Sequence, residues 1–282
     1  MTPAAQTPAP RATFARPARP VYRVTARRVL RSEWAKLWSL RSTWITLGLA
    51  ALFVVAFGLI ASFRYKTMID SGRGVDLEFA DATAVSLSAF GTAPGLLAVG
   101  VLGVLVTGGE YSTGMIRSTL TAVPRRLPVL WSKVAVYGLV AFTVGTGAVF
   151  ITFVFASAIV SSTPAALSLS SAGVVRSLLG AGLYLALVGV IGTALGALLR
   201  SIAGGIAMLV GVMMLVPGLA LLLPTSWHND IGPFLPSNAG ASMFAVDRQP
   251  HTLSPGIGLA VIVGWTALVL AAAAYRLVRS DA

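Results

Sequence analysis

The sequence contains no cysteine and few charged residues. Of its 282 residues only 11% are Asp, Glu, Lys or Arg, whereas a soluble domain carries about 25%. The absence of cysteine excludes disulfides and thiolate metal sites. Hydrophobic residues make up 56% of the chain, and this composition is typical of a polytopic membrane protein.

Motifs for catalysis or nucleotide binding are also absent. The chain has no H-E-x-x-H, no G-x-S-x-G and no phosphate-binding G-x-x-x-x-G-K-[ST], and its two histidines, His228 and His251, stand apart. We therefore expect no enzymatic activity, no metal and no bound cofactor in this chain. Any use of ATP would require a separate subunit.

Six windows without charge are each long enough for the roughly 20 apolar residues of a transmembrane helix. The segment "SSTPAALSLSSAG" is too polar for a further span, and we interpret it as an outer loop. The sequence predicts an all-α polytopic fold. Its spans are expected at about 43–63, 85–108, 134–160, 177–199, 202–223 and 256–275, within a permease domain of residues 42–276.

The residues before the first span divide into two segments. Residues 1–23 hold five prolines and no acid, a composition typical of a disordered basic tail. Residues 24–41 have an apolar face with helical spacing, formed by Leu30, Trp34, Leu37 and Trp38. With Arg27 and Arg28 beside it, this segment predicts an amphipathic helix in the lipid headgroup region. Alternatively, it simply extends the first span into the cytosol.

Basic residues are distributed unequally between the two sides of these spans. With the N-terminus inside, residues 1–41, the 109–133 loop, the turn at Arg200 and residues 276–282 hold 9, 4, 1 and 2 Lys or Arg, which makes 16 of 21. Because basic residues accumulate on the cytosolic side, both ends, including the C-tail 277–282, are predicted to be cytosolic. The same bias explains the net charge of +12 without nucleic acid.

Small residues recur at a spacing of four near the fourth and fifth spans. Gly192 and Gly196 form a G-x-x-x-G, and Ser201 and Gly205 repeat the spacing. Such spacing lets two helices approach closely. The partner helix lies either in the same chain, which we favour, or in a second copy.

The loop between the second and third spans is longer than a turn needs. Glu110 stands where the second span ends, Gly114 permits a sharp bend, and "MIRSTLTAV" predicts a short helix that Pro124 ends. Together with "EWAKLWSLRSTW", "LGALLRSIAGGIA" and "FLPSNAG", in that order, this loop resembles the ABC-2 type permease family. These are membrane subunits of ATP-binding cassette (ABC) exporters, and the resemblance is to the actinobacterial branch over about residues 25–280.

The resemblance implies that the loop is a cytosolic coupling helix that docks on a separate ABC ATPase subunit. The implied coupling residues are Glu110, Tyr111, Gly114, Arg117, Pro124, Arg125 and Arg126. It also implies that residues 224–255 form short re-entrant or outer helices. ATP and magnesium would be bound by the ATPase, and a second six-span permease chain would complete the conduit, as a homodimer or a heterodimer.

Other functions stay open at this stage. The basic residues of the loop alternatively only enforce topology. A separate alternative is a non-transporting membrane assembly or regulatory subunit that is anchored by its spans and acts through the basic tail. An ion-coupled secondary transporter is a further alternative, although the predicted spans lack the ionisable groups that such coupling generally uses. Each reading places a multi-pass protein among membrane lipids, and the resemblance implies a bacterial cell membrane.

The predicted sidedness is tested by labelling with a membrane-impermeant thiol reagent on intact cells. Because the chain has no cysteine, the substitutions Asp70→Cys and Leu120→Cys each introduce a single reactive site. We expect external labelling at 70 and none at 120 until the membrane is permeabilised. The reverse pattern would overturn the orientation.

Overall fold

The structure, a computed structural model, describes residues 25–72, 74–76, 79–123, 126–246 and 251–279. Regular structure in these ranges is entirely helical. The α-helices are α1 (Ala26–Ser39), α2 (Arg41–Asp70), α3 (Ala84–Ala89), α4 (Thr92–Ser112), α5 (Met115–Ala122), α6 (Arg126–Ile159), α7 (Val174–Leu199), α8 (Ile202–Val210), α9 (Val216–Ala220), α10 (Thr225–Ile231), α11 (Pro236–Ser242) and α12 (Pro255–Arg279). The predicted all-α class is confirmed. The predicted tail 1–23 lies outside the described residues.

Six segments of the described chain are long and apolar enough to cross a membrane. They are Arg41–Asp70, Ala84–Ser112, Arg126–Ile159, Val174–Leu199, Ile202–Ala220 and Pro255–Arg279. The chain is therefore a multi-pass membrane protein. At 34 residues, α6 is about 51 Å long, whereas the hydrocarbon core of a bilayer is roughly 30 Å thick. The longest helices thus continue past the apolar windows and carry charged residues on their extensions.

Helix α1 and the C-terminal end of α12 lie at the same end of the bundle, where both contact α6. Helix α1 packs against α6. At the start of α6, the guanidinium of Arg126 donates a hydrogen bond of 3.1 Å to the carbonyl oxygen of Leu277, near the end of α12. This arrangement agrees with an even number of spans. We call this the α5 end of the bundle, because α5 connects α4 to α6 there.

Helix α7 lies at the centre of the bundle, with 78% of its apolar stretch buried, against 17% for Ile202–Ala220. A Cβ atom on Gly192 would stand 2.1 Å from the carbonyl oxygen of Gly100 in α4. A Cβ atom on Gly196 would stand 2.7 Å from the carbonyl oxygen of Val104. On α8, Gly205 packs against the side chain of Val104. These glycines therefore let α7 and α8 lie close to α4 within the chain.

The second span is interrupted between α3 and α4. A Cβ atom on Gly91 would lie 2.2 Å from the carbonyl oxygen of Val54, so α2 passes against the bare backbone at this break. Pro94 has no amide hydrogen to donate to the carbonyl of Phe90, which would be its helical partner. A missing hydrogen bond and a close helix crossing thus coincide at one place.

The fifth span is less regular than the predicted helix over 202–223. It passes through a π-helical turn, Gly211–Leu215, and its last helix, α9, ends at Ala220. Pro217 explains part of this irregularity, because it supplies no amide for the carbonyl four residues earlier. The chain then forms the short helices α10 and α11, in the region where short helices were expected.

The contact between α4 and α7 predicts a marked difference between two glycine substitutions. Gly192→Ala forces a methyl group against a backbone oxygen, and we expect it to lower the free energy of unfolding by about 1–3 kcal/mol. The control is Gly264→Ala in α12, where no heavy atom lies within 4 Å of the added carbon. Because alanine favours helix, the control should not destabilise. Equal losses in detergent unfolding would contradict this packing.

Candidate functional site

Helix α1 is separate from the first span. The face that it packs against the bundle is not the face that carries its tryptophans. Leu40, between α1 and α2, has extended backbone angles (φ −91°, ψ 111°). The alternative that residues 24–41 simply extend the first span is therefore wrong. The buried residues of α1 are Val29, Glu33 and Leu37, which repeat every four positions and so share one face. Of the predicted apolar face, only Leu37 points into the protein.

The remaining predicted residues of α1 are exposed. Trp34 and Trp38 are 40% and 48% accessible, and their rings pack together with that of Trp44, with centroids 5.6 and 4.1 Å apart along the series. Arg27 and Arg28 lie on the exposed first turn. An exposed aromatic cluster beside basic residues has the composition of a membrane interface. Placement of α1 at the headgroups stays a prediction.

Four charged residues from three helices form a buried cluster at the α5 end. The Lys133 ammonium of α6 donates hydrogen bonds to Glu33 Oε2 at 2.6 Å and to Glu110 Oε1 at 2.9 Å. The Lys36 ammonium of α1 donates to Glu33 Oε1 at 2.7 Å and to Glu110 Oε1 at 3.1 Å. We call these residues, Glu33, Lys36, Glu110 and Lys133, the ionic cluster. It joins α1, α4 and α6.

Because the ionic cluster is largely buried, its carboxylates and ammonium groups stay charged only if they stabilise one another. Glu33, Glu110 and Lys133 are 3–4% exposed, whereas the Lys36 side chain is 29% exposed. Burial disfavours ionisation of Glu33, but the charge of Lys133 and hydrogen bonds from both lysines outweigh it, and the pKa of Glu33 lies below its usual range. Burial likewise opposes the charge of Lys36, yet its two glutamate partners raise its pKa. Both groups are therefore ionised at neutral pH.

Helix α5 is connected to this cluster by its inner face. It begins at Gly114, whose left-handed backbone (φ 73°) confirms the sharp bend expected there. Ile116 is 6% exposed, and Thr119 Oγ1 accepts a hydrogen bond of 3.4 Å from the Lys36 ammonium. The opposite face carries exposed Arg117. One face of α5 thus contacts the bundle and the other faces outward.

A second polar group at the α5 end is formed around Tyr111. The guanidinium of Arg200, in the turn between α7 and α8, lies 5.4 Å from the centroid of the Tyr111 ring. Arg276 of α12 donates to the carbonyl oxygen of Leu198 near the end of α7. Together with the bond from Arg126 to Leu277, these contacts place cations at helix C-termini, where the helix dipole favours them.

The structure distributes the predicted coupling residues over several roles. Glu110 is a buried member of the ionic cluster, Tyr111 contacts Arg200, and Gly114 forms the bend before α5. Arg126 bonds α12, and Arg117 lies on the exposed face of α5. Two further predicted residues, Pro124 and Arg125, lie outside the described residues.

The sequence interpretation missed three of the four members of the ionic cluster. Glu33 and Lys36 were considered only as part of the segment "EWAKLWSLRSTW", and Lys133 only as one of the basic residues of the 109–133 loop. Because acids contribute little to membrane orientation, the acid Glu33 before the first span indicates a role other than topology. The spacing of Glu33 with Val29 and Leu37 was the remaining signal for its burial.

No protein-family model matches the chain, and no curated protein matches it. No group of three or more His, Asp or Glu side chains suited to a metal ion occurs in the described part of the chain.

Removing one charge from the buried ionic cluster should lower the free energy of unfolding far more than removing an exposed charge. Glu33→Ala leaves two lysines with a single carboxylate, and breaking a buried ion pair typically costs about 3–5 kcal/mol. The control is Asp70→Ala, which breaks the exposed Lys66–Asp70 pair of 3.1 Å, and exposed pairs contribute about 0–1 kcal/mol. Tryptophan fluorescence during detergent unfolding measures both, and similar losses would contradict a buried cluster.

Proposed function

We propose that the chain is the membrane subunit of an ABC-2 type exporter and that α5 is its docking helix for a separate ATPase subunit. The observation that carries this proposal is the arrangement of α5. One face binds the bundle through Ile116 and Thr119, and the other presents Arg117 to the surroundings. A short helix held in this way can receive a partner without unfolding.

The ionic cluster gives such a docking helix a physical connection to the spans. The Lys36 ammonium contacts Thr119 of α5, Glu110 of α4 and its own neighbour Glu33. Through Lys133, the same carboxylates bind the start of the third span. Movement of α5 would therefore act on α1, α4 and α6 together. In this proposal Glu110 positions α5 and does not touch the partner, because its side chain is buried.

The cargo proposed for this subunit is lipid-like or amphipathic. Polar solutes require placed polar partners along their path, whereas the apolar windows of the spans contain no Asp, Glu, Lys or Arg. A second permease chain would complete the conduit, and ATP and magnesium would bind to the ATPase. The six spans and the exposed helix α5 support this class over a purely structural anchor.

Docking is tested by co-purification with each ATPase subunit encoded next to this chain. Arg117→Glu reverses a charge on the exposed face of α5, and we expect at least about a tenfold weaker Kd for the ATPase, the size of one lost charge-assisted bond. The matched control is Arg31→Glu, the same change on an exposed residue of α1, which should bind normally.

Two results would overturn the proposed function. One is equal ATPase affinity for the wild-type chain, Arg117→Glu and Arg31→Glu, which would remove α5 as the docking element. The other is cargo transport by the purified chain alone in vesicles, driven by a proton gradient without ATP. That result would assign the chain to the secondary transporters.

A further inference from the structure

A cavity of about 760 Å³ opens at the end of the bundle opposite the α5 end. Leu253, which lines it, lies two residues before the start of α12. Near the other end of α12, Leu277 accepts the hydrogen bond from Arg126 at the α5 end. The 25 residues of α12 span about 37 Å, so the two ends lie on opposite sides of a bilayer. With α5 in the cytosol, as predicted, this cavity opens to the outside, and we call it the outer cavity.

The outer cavity carries a negative charge from Asp81, an exposed residue that lines it. Near the end of α2, Arg64 pairs with Asp76 at 2.9 Å. Lys66 pairs with Asp70 at 3.1 Å. The described chain contains no ion pair or side-chain hydrogen bond to the Asp81 carboxylate. This carboxylate can therefore bind an incoming positive group.

Basic side chains do not offset this charge. No lysine or arginine is among the described residues that line the outer cavity. Arg176 donates a hydrogen bond of 2.7 Å to the carbonyl oxygen of Ala245 but is not a lining residue. Asp247 and Arg248, which lie outside the described residues, carry opposite charges. The charge balance thus favours a cation as the ligand.

The polar side chains of the wall offer acceptors, because their donors already bond the main chain. Ser86 donates to a main-chain carbonyl oxygen at 3.0 Å, and Asn238 Nδ2 donates to that of Gly232 at 2.9 Å. His228 Nδ1 lies 3.3 Å from the carbonyl oxygen of Ala220. Since a carbonyl oxygen only accepts, Nδ1 carries the hydrogen, and the neutral ring leaves Nε2 as an acceptor. A ligand rich in donors therefore fits this wall.

The remaining wall suits an organic molecule better than a metal ion. Phe244 and Val246 line the outer cavity and also pack against the core of the bundle. The described ranges hold no group of three or more His, Asp or Glu placed to bind a metal. The cavity volume also lies within the roughly 300–1,000 Å³ of small-molecule sites.

We propose that the outer cavity binds an amphiphilic primary amine in its ammonium form. The ammonium group donates to the Asp81 carboxylate and to the acceptors of the wall, while the apolar part lies against Phe244 and Val246. An anion would be repelled by Asp81, and an uncharged alcohol would leave this charge unpaired. Binding requires only this chain and is therefore independent of the proposed docking on an ATPase.

The test uses the full chain in phosphatidylcholine nanodiscs, with empty nanodiscs as the blank for partition into lipid. The probe is dansylcadaverine, a fluorescent compound with one primary ammonium group, and fluorescence anisotropy measures its Kd. We expect saturable binding, with about fivefold weaker Kd for the analogues that end in a hydroxyl or a carboxylate, the size of one partly exposed ion pair. Binding that does not saturate above the blank, or equal Kd values for the three compounds, would overturn the proposal.

Variants of two exposed acids locate the site. Asp81→Asn should weaken the binding of dansylcadaverine about fivefold and leave the hydroxyl analogue unchanged. The matched control is Asp230→Asn, the same change at an exposed residue of α10 that does not line the outer cavity, and it should bind as the wild type does. Wild-type affinity in Asp81→Asn, or equal weakening by both variants, would show that the Asp81 carboxylate does not hold the ammonium group and would refute the site.

Discussion

The burial of three charges, with a fourth partly exposed beside them, is the constraint on which the α5 end of this membrane helix bundle depends. Removing a charge from water costs several kcal/mol, and the cost is offset only when opposite charges meet it at hydrogen-bond distance. Each carboxylate of the ionic cluster contacts both ammonium groups, at 2.6–3.1 Å. This mutual satisfaction requires α1, α4 and α6 to be in register, so the ionic cluster fixes the position of α1.

That register depends in turn on close contact between α4 and α7. In a membrane, apolar side chains gain little by leaving lipid for protein, so shape and van der Waals contact decide which helices pack together. The absence of a side chain at Gly192 brings α7 against the backbone of α4. Glu110 lies at the end of α4, and its distance from Lys133 therefore follows from packing two turns and more away. The small residues in the spans thus determine where the charged residues at the ends of the spans meet.

Because apolar side chains gain little by leaving lipid for protein, some features of the structure could be predicted from the sequence and others could not. Six spans and an all-α fold could be predicted, because they require only long apolar windows. The buried face of α1 could not, because tryptophan and leucine are as well placed in lipid as in protein, and hydrophobic spacing does not distinguish the two. The pairing of Lys133 with Glu33 joins residues 100 positions apart, which no local pattern records. The fifth span is irregular partly because Pro217 lacks a backbone amide hydrogen. An analysis of apolar windows does not detect this effect.

The members of the ionic cluster differ in freedom, and this difference bears on the proposed coupling. Lys133 is 4% exposed and held between two carboxylates, whereas the Lys36 side chain is 29% exposed and reaches Thr119 at a long 3.4 Å. Lysine is a flexible point charge, so Lys36 can follow a displaced α5 while Lys133 keeps the third span in place. Gly114 lies between α4 and α5 and has a backbone conformation that few other residues adopt. In the proposed complex, a force on α5 would therefore rotate this helix about Gly114. The rotation would redistribute the contacts of Lys36 between Glu33 and Glu110 and so change how tightly α1 is held to the spans.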